Sequence, residues 1–286
     1  MMVRNRGGFS FSRELPGAIR SLEVGVLLLA CLLILVEGSS GSSGQAGTSQ
    51  VAVHGDGLSV VVQPGDGTYE IQTGSGGHSV IHARVAAEID HKWVQSTDYP
   101  KHEITQSNFE DALGRGTKIT ITSSGLPKFA DLAYTVQIYD ARAFGVIEAE
   151  VQNHSANPVT IQSIRSVEAI GDKIIDLGSL QSADRVLSDS FSEDWPPLQI
   201  YDLGKAPNGM HRAVGSQLIY NRESKESLFL GALTSNRFLT IFHLQTKPSS
   251  PNGPAIASYT VDSTGTTEIQ ATDPESGLRE GPAENL

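Results

Sequence analysis

Apolar and polar residues alternate along most of the chain after residue 50, with the two-residue period of strands that bury one face. In residues 144–152, Ile147, Ala149 and Val151 fall on one face and polar residues fall on the other. The same pattern predicts strands at 58–63, 68–73, 79–89, 118–122, 132–140, 159–170, 215–221, 227–234, 238–245, 256–262 and 266–271. Because no stretch beyond residue 50 keeps a 3.6-residue apolar period, we predict an all-β chain.

Turn residues separate the predicted strands. The segment 64–67 (PGDG) lies between two of them, and Asn157 and Pro158 precede another. Strands this short and numerous, joined by turns, are typical of two packed antiparallel sheets. We therefore predict a large two-sheet antiparallel β-sandwich, or supersandwich, over residues 51–272. Residues 90–116 are less regular, and no repeat indicates a propeller.

The first 36 residues form a predicted leader. Its apolar run, residues 24–36, is shorter than the roughly 20 residues that cross a bilayer as a helix. Arginines precede the run, and a Ser/Gly-rich linker, residues 37–50, follows it, which is the order of a secretory signal peptide. We predict export to the periplasm or the cell exterior. The alternative is a signal anchor that holds the protein to the membrane through 24–36.

The polar residues 273–286 at the other end of the chain indicate a linker or a truncation point.

The composition limits the kinds of partner and cofactor that the chain is expected to bind. The chain has 21 basic and 32 acidic residues, a net charge of −11 at pH 7, and such a surface repels nucleic-acid phosphates. Its one cysteine, Cys31, lies in the leader, so the predicted domain has neither a disulfide nor a cysteine metal site. Histidines such as His78 and His82 are not spaced as zinc ligands, and no nucleophile or phosphate-loop motif is present. We predict no metal, no cofactor and no nucleic-acid partner.

The segment 187–204, LSDSFSEDWPPLQIYDLG, combines acids, aromatic rings and a proline pair, and we call it the acidic aromatic loop. An indole ring can stack on the apolar face of a pyranose, and carboxylates accept hydrogen bonds from its hydroxyls. Asp189, Glu193, Asp194 and Trp195 are therefore the predicted substrate-binding residues. A plain surface loop is the alternative to sugar contact.

Catalysis by this loop alone is disfavoured. Glycoside hydrolysis needs two carboxyl groups held about 5–5.5 Å apart for retention or about 6.5–9.5 Å apart for inversion. Neighbouring acids on one loop are usually too mobile for that geometry, so we assign no catalytic residue. Trp93 and Tyr99 form a second aromatic group, which we expect in the core or at its rim.

Three longer segments carry a family resemblance. Residues 119–169 contain an aromatic strand and a V-x-N…P-V-T-I hairpin, residues 186–204 contain the acidic aromatic loop, and residues 227–244 read SLFLGALTSNRFLTIFHL. Taken together, these segments resemble the N-terminal β-sandwich domain of melibiase-type alpha-galactosidases, in the alpha-galactosidase and raffinose-synthase group. The likeness covers residues 50–286. The hairpin alone is common to many sandwiches.

The resemblance implies a partner domain and a substrate. In such enzymes a (β/α)8 barrel follows the sandwich, and two barrel aspartates act as nucleophile and as general acid/base. The sandwich packs on the barrel and can send a loop to the rim of the sugar pocket. The chain ends at Leu286, where the barrel would begin, so we carry over neither aspartate and expect this chain alone to be inactive. The resemblance implies an oligosaccharide or galactoside substrate for the full enzyme and is compatible with a homo-oligomer.

Two other functions fit the same sequence. A stand-alone carbohydrate-binding module would bind sugar by itself through Trp195. A structural or interaction sandwich without catalysis would instead expose an apolar face to a partner.

Overall fold

The computed structural model describes residues 2–5, 50–74, 77–188, 198–205, 209–233, 238–249 and 253–269, with the backbone alone at residues 2–5, 249, 253, 254 and 268. These residues form two nine-stranded sheets. They also form two single-turn 3-10 helices, Ser96–Asp98 and Gln181–Ala183, and no α-helix. The predicted all-β fold, a large two-sheet antiparallel sandwich, is confirmed.

Sheet A contains the two strands that flank the acidic aromatic loop. Its strands, in spatial order, are β13 (Gln199–Asp202), β12 (Asp184–Ser188), β15 (Ser216–Asn221), β16 (Ser227–Ala232), β1 (Met2–Asn5), β10 (Gly145–Gln152), β9 (Asp131–Tyr139), β8 (Gly114–Ser124) and β7 (Lys101–Asp111). The strand pairs are antiparallel, except that β1 lies parallel to both β10 and β16. The edge strand β7 is polar and largely exposed, which discourages pairing with another chain.

Sheet B contains the remaining strands. In spatial order they are β14 (Met210–Val214), β17 (Leu239–Ser249), β18 (Gly253–Ile269), β11 (Val159–Ala169), β5 (Ser79–Ile89), β4 (Thr68–Thr73), β3 (Leu58–Gln63) and β2 (Val51–His54), with β6 (Lys92–Gln95) paired to β5. The chain passes from sheet B to sheet A between β14 and β15. Gly215 makes this bend with a φ of 93°, a conformation that glycine adopts without strain.

The inner faces of the two sheets pack into one core. Tyr69 of β4 and Tyr134 of β9 meet there with their ring centroids 5.5 Å apart. The Tyr69 hydroxyl donates to the carbonyl oxygen of Ser166 at 2.8 Å, and the Tyr134 hydroxyl donates to that of Gly67 at 3.1 Å. Burial raises the pKa of both hydroxyls. Because each buried hydroxyl has an acceptor, the two rings add apolar area to the core without leaving a donor unpaired.

The structure shortens the acidic aromatic loop. Leu187 and Ser188 are the last residues of β12, and residues 199–202 form β13, which pairs antiparallel with β12. The chain that joins these strands is therefore 189–198 and not the whole of 187–204.

Both chain ends fall mostly outside the described residues. Of the predicted leader, the structure describes only Met2–Asn5, the strand β1 between β10 and β16. Residues 6–49 and 270–286 are not among the described residues, so the leader, the Ser/Gly-rich linker and the C-terminal linker stay predictions. Within the ranges that the structure describes, no helix is long and apolar enough to span a membrane.

Candidate functional site

The four predicted substrate-binding residues, Asp189, Glu193, Asp194 and Trp195, lie outside the described residues. The structure does describe the two strands that lead into and out of their loop, β12 and β13, at one edge of sheet A. We call the four strands β13, β12, β15 and β16 the loop-bearing edge. The candidate site consists of the side chains on its two faces.

Polar side chains form a row on the inner face of the loop-bearing edge. Ser188 lies opposite Gln199 on one side and opposite Gln217 on the other. Nε2 of Gln217 donates to Oγ of Ser188 across 3.0 Å, and both residues are buried. Oε1 of Gln217 has no hydrogen-bond partner in the described part of the chain. Since buried polar atoms are nearly always paired, this oxygen is an exception that keeps unused acceptor capacity inside the sandwich.

His211 reaches the same edge from the opposite sheet. Its ring centroid lies 4.3 Å from that of Tyr201, which is on β13. His211 is 6% exposed, and its Nε2 atom has no partner among the residues that the structure describes. Burial lowers the pKa of His211, so the ring is neutral at pH 7. Two buried polar groups with unused bonding capacity therefore lie between the sheets near the base of the acidic aromatic loop.

The outer face of the loop-bearing edge carries an apolar row. Ile200, Leu187, Leu218 and Phe229 lie opposite one another on β13, β12, β15 and β16. Ile200 is 64% exposed and Phe229 is 43% exposed. Leu198, which is also exposed, adjoins the row on the side of the loop. Single exposed apolar residues are normal, but a contiguous row across neighbouring strands is typical of a surface that a partner covers.

A buried polar cluster lies at the start of β12, the end away from the acidic aromatic loop. Oδ1 of Asp184 accepts a hydrogen bond from Nδ2 of Asn221 on β15 at 2.7 Å. Burial raises the pKa of Asp184 to about 6; the bond from Asn221 opposes this shift and the charge of Asp176 adds to it. Arg222 donates to Oδ1 of Asp202 on β13 at 3.1 Å. These bonds tie together three strands of the loop-bearing edge, β12, β13 and β15, at the end away from the loop.

The histidines that the sequence placed near one another have separate structural partners. Nε2 of His78 lies 3.0 Å from Oε2 of Glu226, and Nε2 of His82 lies 3.0 Å from Oγ1 of Thr68. Across the described ranges, no group of three or more histidine, cysteine, aspartate or glutamate residues could hold a metal ion.

The second aromatic group divides between the core and the surface. Tyr99 is buried, and its hydroxyl donates to the carbonyl oxygen of Ala130 at 2.5 Å. Trp93 is 41% exposed on β6, with the Arg165 guanidinium over its ring. The expected burial is therefore confirmed for Tyr99, whereas Trp93 lies at the surface.

The sequence did not single out the apolar row, Gln217 or His211. The alternation in residues 227–232 (SLFLGA) signals that Phe229 points away from Leu228 and Leu230, but only strand register shows which residues lie beside it. No protein-family model matches the chain, and no curated protein matches it significantly.

Proposed function

We propose that this chain is the β-sandwich domain of an alpha-galactosidase-like glycoside hydrolase, which packs on a (β/α)8 barrel and lines the rim of the barrel's sugar pocket. The apolar row on the loop-bearing edge carries the proposal. Leu187 and Ile200 belong to the two strands that join the acidic aromatic loop. A domain that docks on this row would therefore lie next to the loop.

The apolar row has the composition of a docking surface between domains. Burial of apolar area contributes about 25 cal/mol per Å², and the exposed side chains of Ile200 and Phe229 have that area to lose. Arg185 and Asp202 lie opposite each other in the next row of the same sheet. An apolar row bordered by charged residues has the usual composition of a protein interface, which is an apolar core with a polar rim.

The loop composition and the charge of the chain favour a neutral, hydroxyl-rich ligand. Gln217 and the neutral His211 ring are buried between the sheets, so contact with a sugar is left to the loop. The carboxylates of Asp189, Glu193 and Asp194 would offer acceptors to sugar hydroxyls, while the net charge of −11 disfavours anionic ligands. In this proposal Trp195 stacks on a galactose ring, and the reacting aspartates belong to the barrel.

Calorimetric titration of the purified 286-residue chain with melibiose tests the sugar-rim role. We expect weak, saturable binding that Trp195→Ala abolishes, without release of galactose. Leu113→Ala, at an exposed leucine in the β7–β8 turn away from the loop, is the control and should leave melibiose binding unchanged. Absence of binding, or equal binding by the Trp195→Ala variant, would overturn the rim role. Release of galactose by this chain alone would contradict the assignment of catalysis to a barrel.

A further inference from the structure

We propose that the outer face of sheet B binds a neutral oligosaccharide, on a platform made of Trp93 and a ladder of charged and polar side chains. This platform lies on the other sheet from the loop-bearing edge. The inference therefore stands independently of the proposed function.

The ladder crosses five strands in one line. Arg84 lies opposite Glu168, which lies opposite Thr260. Thr260 lies opposite His243, which lies opposite Arg212. Because neighbouring strands are about 4.8 Å apart, the ladder is about 19 Å long. A track of that length fits several linked sugar rings better than a single ring.

Ion pairs fix the hydrogen-bonding groups in the middle of the ladder. Arg165 donates from Nε and Nη2 to the two carboxylate oxygens of Asp262, at 2.5 and 3.2 Å, and from Nη1 to Glu168 at 2.7 Å. Nε of Arg84 donates to the other oxygen of Glu168 at 2.8 Å. All four side chains are at most 23% exposed. A ligand would therefore meet oriented groups and lose little side-chain entropy on binding.

Trp93 provides a ring beside the ladder. Arg165 lies opposite Ala86 on β5, the strand between β11 and the Trp93 strand β6. The small Ala86 side chain leaves room for the indole to approach the guanidinium, which stays bound to Asp262 on β18. Cζ of Arg165 lies 4.1 Å from the centre of the Trp93 ring. This cation–π contact holds a ring that is 41% exposed. An exposed indole held in one orientation is suited to stack on the apolar face of a pyranose.

The charge balance of the platform indicates a neutral ligand. Arg84 and Arg165 donate hydrogen bonds, and Glu168 and Asp262 accept them, so these four charges cancel. Arg212 at the end of the ladder and Glu88, which lies opposite Trp93, add one charge of each sign. A sugar hydroxyl both donates and accepts, and it can use both kinds of group at once. An anionic sugar would instead meet the two carboxylates. His243 does not add a full charge, because burial lowers its pKa, although Asp262 opposes the shift and the two nearby arginines, Arg212 and Arg165, add to it.

Calorimetry of the 286-residue chain with cellotetraose, maltotetraose and β-1,4-galactotetraose tests the platform. We expect saturable binding of at least one tetrasaccharide, weakened about tenfold or more by Trp93→Ala. Glu168→Gln should also weaken it, because one acceptor oxygen becomes a donor. Leu113→Ala, at an exposed leucine in the β7–β8 turn that belongs to neither site, is the control and should bind as the unaltered chain does. Trp195→Ala shows whether the acidic aromatic loop takes part, and thermal unfolding checks that each variant is folded.

Three results would overturn the platform. They are a lack of binding by all three tetrasaccharides, unchanged binding in folded Trp93→Ala, and a loss caused by Trp195→Ala but not by Trp93→Ala. The last result would assign the sugar to the acidic aromatic loop and would support the proposed function alone.

Discussion

Nδ2 of Asn221 donates a hydrogen bond to Oδ1 of Asp184 across 2.7 Å, inside the sandwich. Oδ1 of the same Asn221 accepts from the backbone N–H groups of Glu223 and Ser224, which form the turn after β15. One buried side chain therefore joins the turn to β12, the strand that leads into the acidic aromatic loop. The neutral amide only partly compensates the Asp184 carboxylate, which is 1% exposed.

Asp184→Asn should stabilise the protein at pH 7. Burial raises the folded-state pKa of Asp184 from 3.8 to about 6, so between these two values the folded chain binds more protons than the unfolded chain. The free energy of unfolding therefore falls as the pH rises from about 4 to about 6, and it stays lower above that range. We expect Asp184→Asn to raise this free energy by about 1–2 kcal/mol at pH 7, and by much less at pH 4. Urea unfolding at both pH values measures the difference, and an equal loss of stability at both would contradict the prediction.

Gly67→Ala should destabilise the protein more than Gly57→Ala. Both glycines have positive φ, 68° and 73°, so alanine at either costs about 1 kcal/mol of backbone strain. A Cβ atom at Gly67 would also lie 2.7 Å from Nδ1 of His102, whereas nothing lies within 4 Å of one at Gly57. His102 would have to shift and weaken its 3.0 Å contact with Oγ of Ser123, for about 1 kcal/mol more.

Urea unfolding of the two glycine variants checks this difference. A loss of stability in Gly57→Ala as large as that in Gly67→Ala would show that His102 does not restrict the turn.

Serine at Ile200 and Phe229 should reduce the binding of an apolar dye by the isolated chain. These residues stand at the two ends of the apolar row and are 64% and 43% exposed, so their removal should change the free energy of unfolding by less than about 1 kcal/mol. Leu113→Ser, at a leucine in the β7–β8 turn that is 50% exposed, is the control. ANS fluorescence and light scattering measure the effect. Equal decreases in the control and in the double variant would show that the row is not a continuous surface.

Strand prediction succeeded where one face of the strand is buried. The predicted segments 58–63, 68–73 and 79–89 match β3, β4 and β5, because apolar residues recur at every second position. The edge strand β7 (KHEITQSNFED) was missed since both its faces are polar. Two predicted strands, 256–262 and 266–271, fall largely within the single strand β18. The Ser-Thr-Gly stretch between them suggested a turn, but β11 and β17 pair with it.

The site was less predictable than the fold. Composition pointed to the acidic aromatic loop, which is local in sequence. The apolar row and the polar row at the base of this loop depend on strand register. Leu187 meets Leu218, and Ser188 meets Gln217, only when β12 and β15 pair in one alignment. The Trp93 platform depends on register in the same way, since Trp93 and Arg165 meet across the intervening strand β5.

The decisive measurement is α-galactosidase activity of the native protein. Antibodies against the 286-residue chain would isolate it, with any bound chains, from the cells that make it. We predict that this material hydrolyses 4-nitrophenyl α-galactoside, through a barrel in the same polypeptide or in a bound subunit. We also predict that serine at both Ile200 and Phe229 in the gene lowers the activity by loosening that contact. Native material that releases no nitrophenol would contradict the assignment of this sandwich to an alpha-galactosidase-like enzyme.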